Sequence, residues 1–204
     1  YRVPYRTDSP EYRALTQATF IEFWRKGLIY EDYRPTNWCP VCRTTIADAE
    51  IEYVKRRSKL YYIIFFLDNQ EKITIATTRP ELIGACVAVL YHPDDKRYSR
   101  LKNRRAIVPI YGYEVPIIEN NVVDMEFGTG LMMLCSYGDY TDIRLIRELN
   151  LRPRVIINED GKMNEKAGIL KDLTVEKARE KIVEELRKRG LIVKVEEIEQ
   201  NVPT

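Results

Sequence analysis

Apolar residues recur at Leu15, Ala18, Ile21 and Trp24, a helical spacing that predicts an amphipathic helix over residues 9–27. Ser9 offers an N-cap hydroxyl and Pro10 the preset φ of a first helical residue, while Gly27 marks the stop. A short extended stretch over 28–38 leads into Trp38-Cys39-Pro40-Val41-Cys42, where the chain must turn back as a knuckle.

From residue 51 the pattern becomes β-rich. Residues 60–67 are dense in β-branched and aromatic side chains, 68–71 break the run, and 73–76 resume it, which predicts a hairpin. Further short strands are predicted over 86–91, 105–111, 114–118 and 129–136, with His92-Pro93-Asp94-Asp95 as a turn. Short strands punctuated by turns imply a barrel or strongly curved sheet.

The period then lengthens. Ile143, Ile146 and Leu149 predict a second helix over 139–150; Val175, Ala178, Ile182, Val183 and Leu186 predict a third over 174–189, stopped by Gly190. A last strand is expected over 191–198. No repeat or flexible linker interrupts this order, so the expected class is α+β, a curved β-barrel-like core with flanking helices.

Composition narrows the classes. The 204 residues carry 33 Lys plus Arg against 31 Asp plus Glu, and a net charge of +2 gives no global reason to bind nucleic acid, so any RNA contact must be local. No apolar run is long enough for a membrane span. The opening Tyr1-Arg2-Val3-Pro4 is neither a methionine nor a signal peptide, and the last residues read as a cut, so the chain is expected to be a piece of a longer protein. Four cysteines without a disulfide framework suit a reducing cytoplasm.

Three motifs could carry chemistry. Thr77-Thr78-Arg79-Pro80-Glu81-Leu82 gathers hydroxyls, amides and a guanidinium where a strand runs out, as donors to an anion, a carbonyl or a water, or simply as a satisfied turn. Gly128-Thr129-Gly130 permits close backbone approach ahead of Asp139 and Asp142, which can share one side of a helix start; one could cap and the other hold an amine, or both could only cap. Cys39 and Cys42 have the spacing of half a zinc site, with no second half in the chain. Cys135 and Ser136 lack a partner base for nucleophilic catalysis, because the one histidine, His92, lies in a turn of surface type.

Taken together, Asn37-Trp38-Cys39-Pro40, Ala47-Asp48-Ala49-Glu50, the Thr77–Glu81 run, His92–Asp95, Gly128–Gly130 and Asp142 resemble, in order, the editing insertion of class I aminoacyl-tRNA synthetases of the valyl, isoleucyl and leucyl types. The resemblance covers nearly the whole chain. The segments over 47–53 and 126–130 look most like valyl enzymes, and Cys135–Asp139 like archaeal ones. Leu82, Met133 and Cys135 depart from the bacterial valyl pattern by losing polar residues.

The resemblance implies hydrolysis of threonine wrongly esterified to the 3′ end of valine tRNA. A hydrophobic valine site cannot strongly reject isosteric threonine; valyl enzymes are the usual illustration, at about a hundredfold. By the same resemblance Asp142 binds the aminoacyl ammonium and Asp139 helps read the threonine hydroxyl. Thr77, Thr78 and Arg79 line the ester and terminal adenosine, with Glu81, Gly128, Thr129, Gly130 and Cys135 completing the substrate wall. No cofactor is expected for editing; a structural zinc at Cys39 and Cys42 is an expectation for the full-length protein. The implied partners are the threonine-bearing tRNA end and the rest of the parent synthetase. ATP-dependent ligation is not expected here, since the adenylate-forming signatures are absent. The implied domains are a linking segment over 1–50, the editing domain over 51–200 and a truncated linker over 201–204. Two alternatives stay open: an isoleucyl-type domain clearing valine, and a non-catalytic RNA-binding or zinc-knuckle module.

Overall fold

The computed structural model describes residues 6–203. The chain divides into two compact units between Pro35 and Thr36.

In the first unit, α1 (Pro10–Arg25) begins as its sequence predicts, with Ser9 Oγ accepting the Tyr12 N–H at 3.2 Å. Its expected buried stripe is not found: none of its residues is buried, and Leu15 and Trp24 are 65% and 53% exposed. A strict three-residue repeat slips by about 60° per step around a helix, so Leu15 and Trp24 stand on opposite sides.

The second unit opens with a small hairpin, β1 (Trp38–Cys39) and β2 (Thr44–Thr45), which carries the knuckle. The knuckle lies in this larger unit, which begins at Thr36. It is tied down by polar contacts: the Trp38 indole donates to the Glu159 carbonyl at 2.8 Å, and Asp48 accepts from Asn37 and from the Tyr140 hydroxyl at 2.8 and 3.1 Å.

The remaining strands are β3 (Tyr53–Leu67), β4 (Lys72–Thr77), β5 (Cys86–Tyr91), β6 (Arg105–Ile107), β7 (Glu114–Glu119), β8 (Leu131–Cys135) and β9 (Ile192–Pro203). Among the described residues they form one mixed sheet in the order β4-β3-β6-β7-β5-β8, with β9 also paired to β3. All pairs are antiparallel except β5 with β7. The sheet curls until its end strands β4 and β8 lie beside each other, giving the half-barrel form of the α+β class.

Strand ends depart from the sequence reading where the apolar pattern is silent. β3 begins at Tyr53 and β9 runs to Pro203, so residues 201–203 are paired strand. The strand expected over 105–111 stops at Ile107, because the chain turns there; the Val108 N–H is answered by the Tyr113 carbonyl at 2.9 Å.

β5 is buried on both faces. Val89 and Tyr91 face the main core with Ile63, Phe65 and Ile75, while Ala88 and Leu90 face a second core with Leu134, Leu145 and Ile146. The second core holds α2 (Tyr140–Glu148) and the main one holds α3 (Val175–Lys188). On α2 the buried apolar residues are Leu145 and Ile146; Ile143 is only half-buried. On α3 Ala178, Ile182, Val183 and Leu186 are buried as the periodicity predicts. No helix of the described residues is long and apolar enough to cross a membrane.

Candidate active site

Because β4 and β8 meet, the two motifs that follow or flank them meet as well. Gly128 has φ +60°, and a Cβ there would stand 2.5 Å from the Ala76 Cβ, so a side chain would push the glycine turn off the end of β4. Beyond β4, Thr77 Oγ1 accepts the Arg79 N–H at 3.1 Å, and Pro80 opens a 3₁₀ helix over Pro80–Ala85. Arg79 then reaches across and donates to the Gly138 carbonyl, just ahead of α2.

The acidic pair divides its work. Asp139 is the N-cap of α2, its Oδ1 accepting the Asp142 N–H at 2.8 Å. Asp142 is 6% exposed, and its Oδ1 lies 3.4 Å from the Cys135 N–H. Gly138 leaves room for it, since a Cβ there would come within 2.0 Å of Asp142 Oδ2. Burial raises the Asp142 pKa to about 7, with the Asp139 charge adding to the rise and Arg79 opposing it. A carboxylate so short of solvation gains from any cation that can reach it.

Other expected site residues fall elsewhere. Glu81 is fully buried and accepts both forks of Arg179 on α3 at 2.9 and 2.8 Å, with Arg79 Nε at 3.5 Å, so its carboxylate is turned into the protein. Cys135 is also withdrawn, its thiol directed at the Leu82 carbonyl and its pKa raised well above normal by burial. Leu82 and Cys135, two of the departures from the bacterial pattern, thus pack against each other behind the wall. Thr78 faces a separate cleft with Arg179. Gly130 (φ +77°) is buried against the Asp95–Arg97 pair, and Thr129 offers its carbonyl to the Tyr98 hydroxyl at 2.6 Å.

Arg179 was not legible as a site residue. Its signal was present: it stands one helical turn before Val183, on the edge of the buried face of α3. Arg97 was also missed; it donates to Asp95 and to the Met125 carbonyl, holding the glycine turn from outside. His92 accepts the Asp94 N–H within its own turn, as expected of a turn residue.

At the knuckle the Cys42 N–H lies 3.3 Å from Cys39 Sγ, which lowers the Cys39 pKa. A closed zinc site needs four ligands. Among the described residues no group of three or more His, Cys, Asp or Glu side chains gathers, so the pair does not fit a complete metal centre.

The curled mixed sheet of this α+β domain thus brings an arginine within electrostatic reach of a buried carboxylate that a cation would stabilise. Residues 1–199 match the family described as tRNA synthetases class I (I, L, M and V), and the chain belongs to that family. It is 52% identical to the valine–tRNA ligase of Aeropyrum pernix and 53% identical to that of Nanoarchaeum equitans, over 97% and 98% of its length. It spans about a quarter of each, 24% and 26%. Its fold is similar to that of the LeuRS in a ternary complex of Agrobacterium radiobacter K84 LeuRS, tRNA and LeuAMS, with a TM-score of 0.55 at 18% identity, covering 96% of this chain and 33% of that one.

Proposed function

We propose that this chain is the editing domain of a valine–tRNA ligase and hydrolyses the ester between threonine and the 3′ end of valine tRNA. The observation that carries the reading is the poorly solvated Asp142 carboxylate, within the electrostatic reach of Arg79, whose guanidinium is held on the Gly138 carbonyl. In the proposed complex Arg79, 40% exposed on its side chain, swings off Gly138, and the substrate ammonium takes its place as the cation nearest Asp142. Asp139, exposed at the cap, reads the threonine hydroxyl with the oxygen that the helix leaves free.

Water attacks the ester carbonyl directly. The ribose oxygen leaves with a proton, and free threonine is released. The alternative of an acyl-enzyme is disfavoured by burial: the Cys135 thiol is held protonated, and the Ser136 hydroxyl accepts the Arg154 N–H at 2.6 Å. An aminoacyl ester is already activated, so holding ammonium and ribose beside a water supplies most of what is needed, without a cofactor. The tRNA in the LeuRS complex supports RNA as the partner, and the valine–tRNA ligase relatives support a parent synthetase and valine tRNA.

The test is deacylation of threonyl-tRNA of the valine type, beside valyl-tRNA, by the wild type and Asp142→Ala. Threonine release by the wild type and its loss in a folded variant is the expected result. Unchanged release by the variant removes Asp142 from the mechanism, and faster release of valine than threonine removes the assigned specificity.

A further inference from the structure

The turn at Thr77–Arg79 has two sides of opposite charge. One side carries Asp139 and Asp142. The other is an open cleft of about 300 Å³ whose walls include Arg57, Lys59, Tyr61, Thr78, Arg179 and Glu197. Arg57, Lys59 and Tyr61 are alternate residues of β3 and so share a face, with Tyr61 paired in register with Thr77 at the end of β4.

Two cations of this cleft are available. Arg57 and Lys59 stand across from Glu199 and Glu197 of β9, yet neither closes an ion pair within 4.0 Å among the described residues. Arg179 spends its fork on Glu81, a carboxylate sealed from solvent, but leaves its side chain 42% exposed at the cleft. Two cations without an ion pair, Arg57 and Lys59, therefore meet one lining carboxylate, Glu197; Arg179 adds N–H groups at the cleft wall and Thr78 a hydroxyl.

We propose that this cleft holds the phosphodiester backbone of single-stranded RNA leading to the terminal nucleotide. The inference rests on the proposed editing reading: with the positive ammonium drawn to the acidic side, the negative phosphates leave over the basic side, which Thr78 lines while its neighbour Arg79 reaches Gly138 ahead of the acidic pair. The charge gradient across one turn orients the strand, which a chain with net charge +2 cannot do through its overall field.

The test uses the double variant Arg57→Gln/Lys59→Gln, at solvent-facing positions outside the ester site. Binding of a fluorescent, short single-stranded RNA with a free 3′ end should weaken by about tenfold, and the slope of log K against log salt should shrink by about 0.7 for each phosphate that is no longer neutralised. Glu197→Gln should tighten the same RNA. In deacylation, KM for aminoacyl-tRNA should rise with kcat unchanged, while a 3′-aminoacyl-adenosine without phosphates should be hydrolysed as by the wild type. Unaltered oligonucleotide affinity and salt slope in the double variant overturns the cleft assignment, even if ester hydrolysis is present. A wild type that hydrolyses neither ester overturns the editing reading, while a fall in RNA binding still upholds the cleft as an RNA site.

Discussion

Glu81 and Arg179, 98 residues apart in the chain, form a two-pronged ion pair whose carboxylate is sealed from solvent. Through the Arg79 Nε at 3.5 Å the same carboxylate steadies the side chain that reaches the Gly138 carbonyl ahead of α2. The pair thus couples α3 to the strand-end turn.

Removing one partner of a buried pair leaves a charge unpaired, so Arg179→Met should destabilise the chain by about 3 kcal/mol in urea unfolding. Adding Glu81→Gln should restore much of that loss. A cost below about 0.5 kcal/mol, the range of an ordinary surface substitution, contradicts the bracing role.

Asp142 is a buried carboxyl kept at a cost to the fold. Its folded pKa, raised from 3.8 to about 7, lies above its unfolded value, so the protonated form is favoured by folding. Its effect is absent below about pH 4 and grows as a destabilisation while pH rises to 7, reaching at most roughly 4 kcal/mol. Asp142→Asn should flatten this part of the stability–pH curve, raise the melting temperature at pH 8 and abolish ester hydrolysis. A variant less stable than wild type at pH 8 contradicts the burial argument.

Asp139 caps α2 and also lifts the Asp142 pKa through its charge. Serine keeps the cap without the charge, so Asp139→Ser should change stability by no more than about 0.5 kcal/mol. The midpoint of the Asp142 titration, followed by carboxyl NMR, should move down, and threonine should lose its advantage over valine as the released amino acid. An unmoved midpoint argues that the two carboxylates do not sense each other.

Gly138→Ala places a methyl 2.0 Å from the Asp142 Oδ2. The carboxylate can rotate, so the fold should survive, while kcat/KM for deacylation should fall by at least about tenfold, as expected when a positioned group moves by an ångström. Activity equal to wild type shows that Asp142 is not used in the position seen here.

Much of this architecture was legible from pattern. The β3–β4 hairpin followed from the dense β-formers over 60–67, α3 from Ala178, Ile182, Val183 and Leu186, and the proline-opened turn after Thr78 from Pro80. α1 was legible as a helix, though its stripe, whose three-residue spacing drifts around the axis, was not a buried face. The outer halves of β3 and β9 escaped notice because both are polar on both faces and are held by backbone pairing.

The sequence by itself determined the local devices: a glycine that can enter φ +60° at Gly128, a capping carboxylate at Asp139, a proline start at Pro80. Only the tertiary structure decided which buried acid is paired and which is not. Glu81 and Asp142 are both buried acids, yet one is neutralised by Arg179 from a distant helix and the other is left without an ion pair among the described residues. That difference arises because burial and charge pairing depend on which segments the curled sheet brings together, and no spacing along the chain encodes that distance.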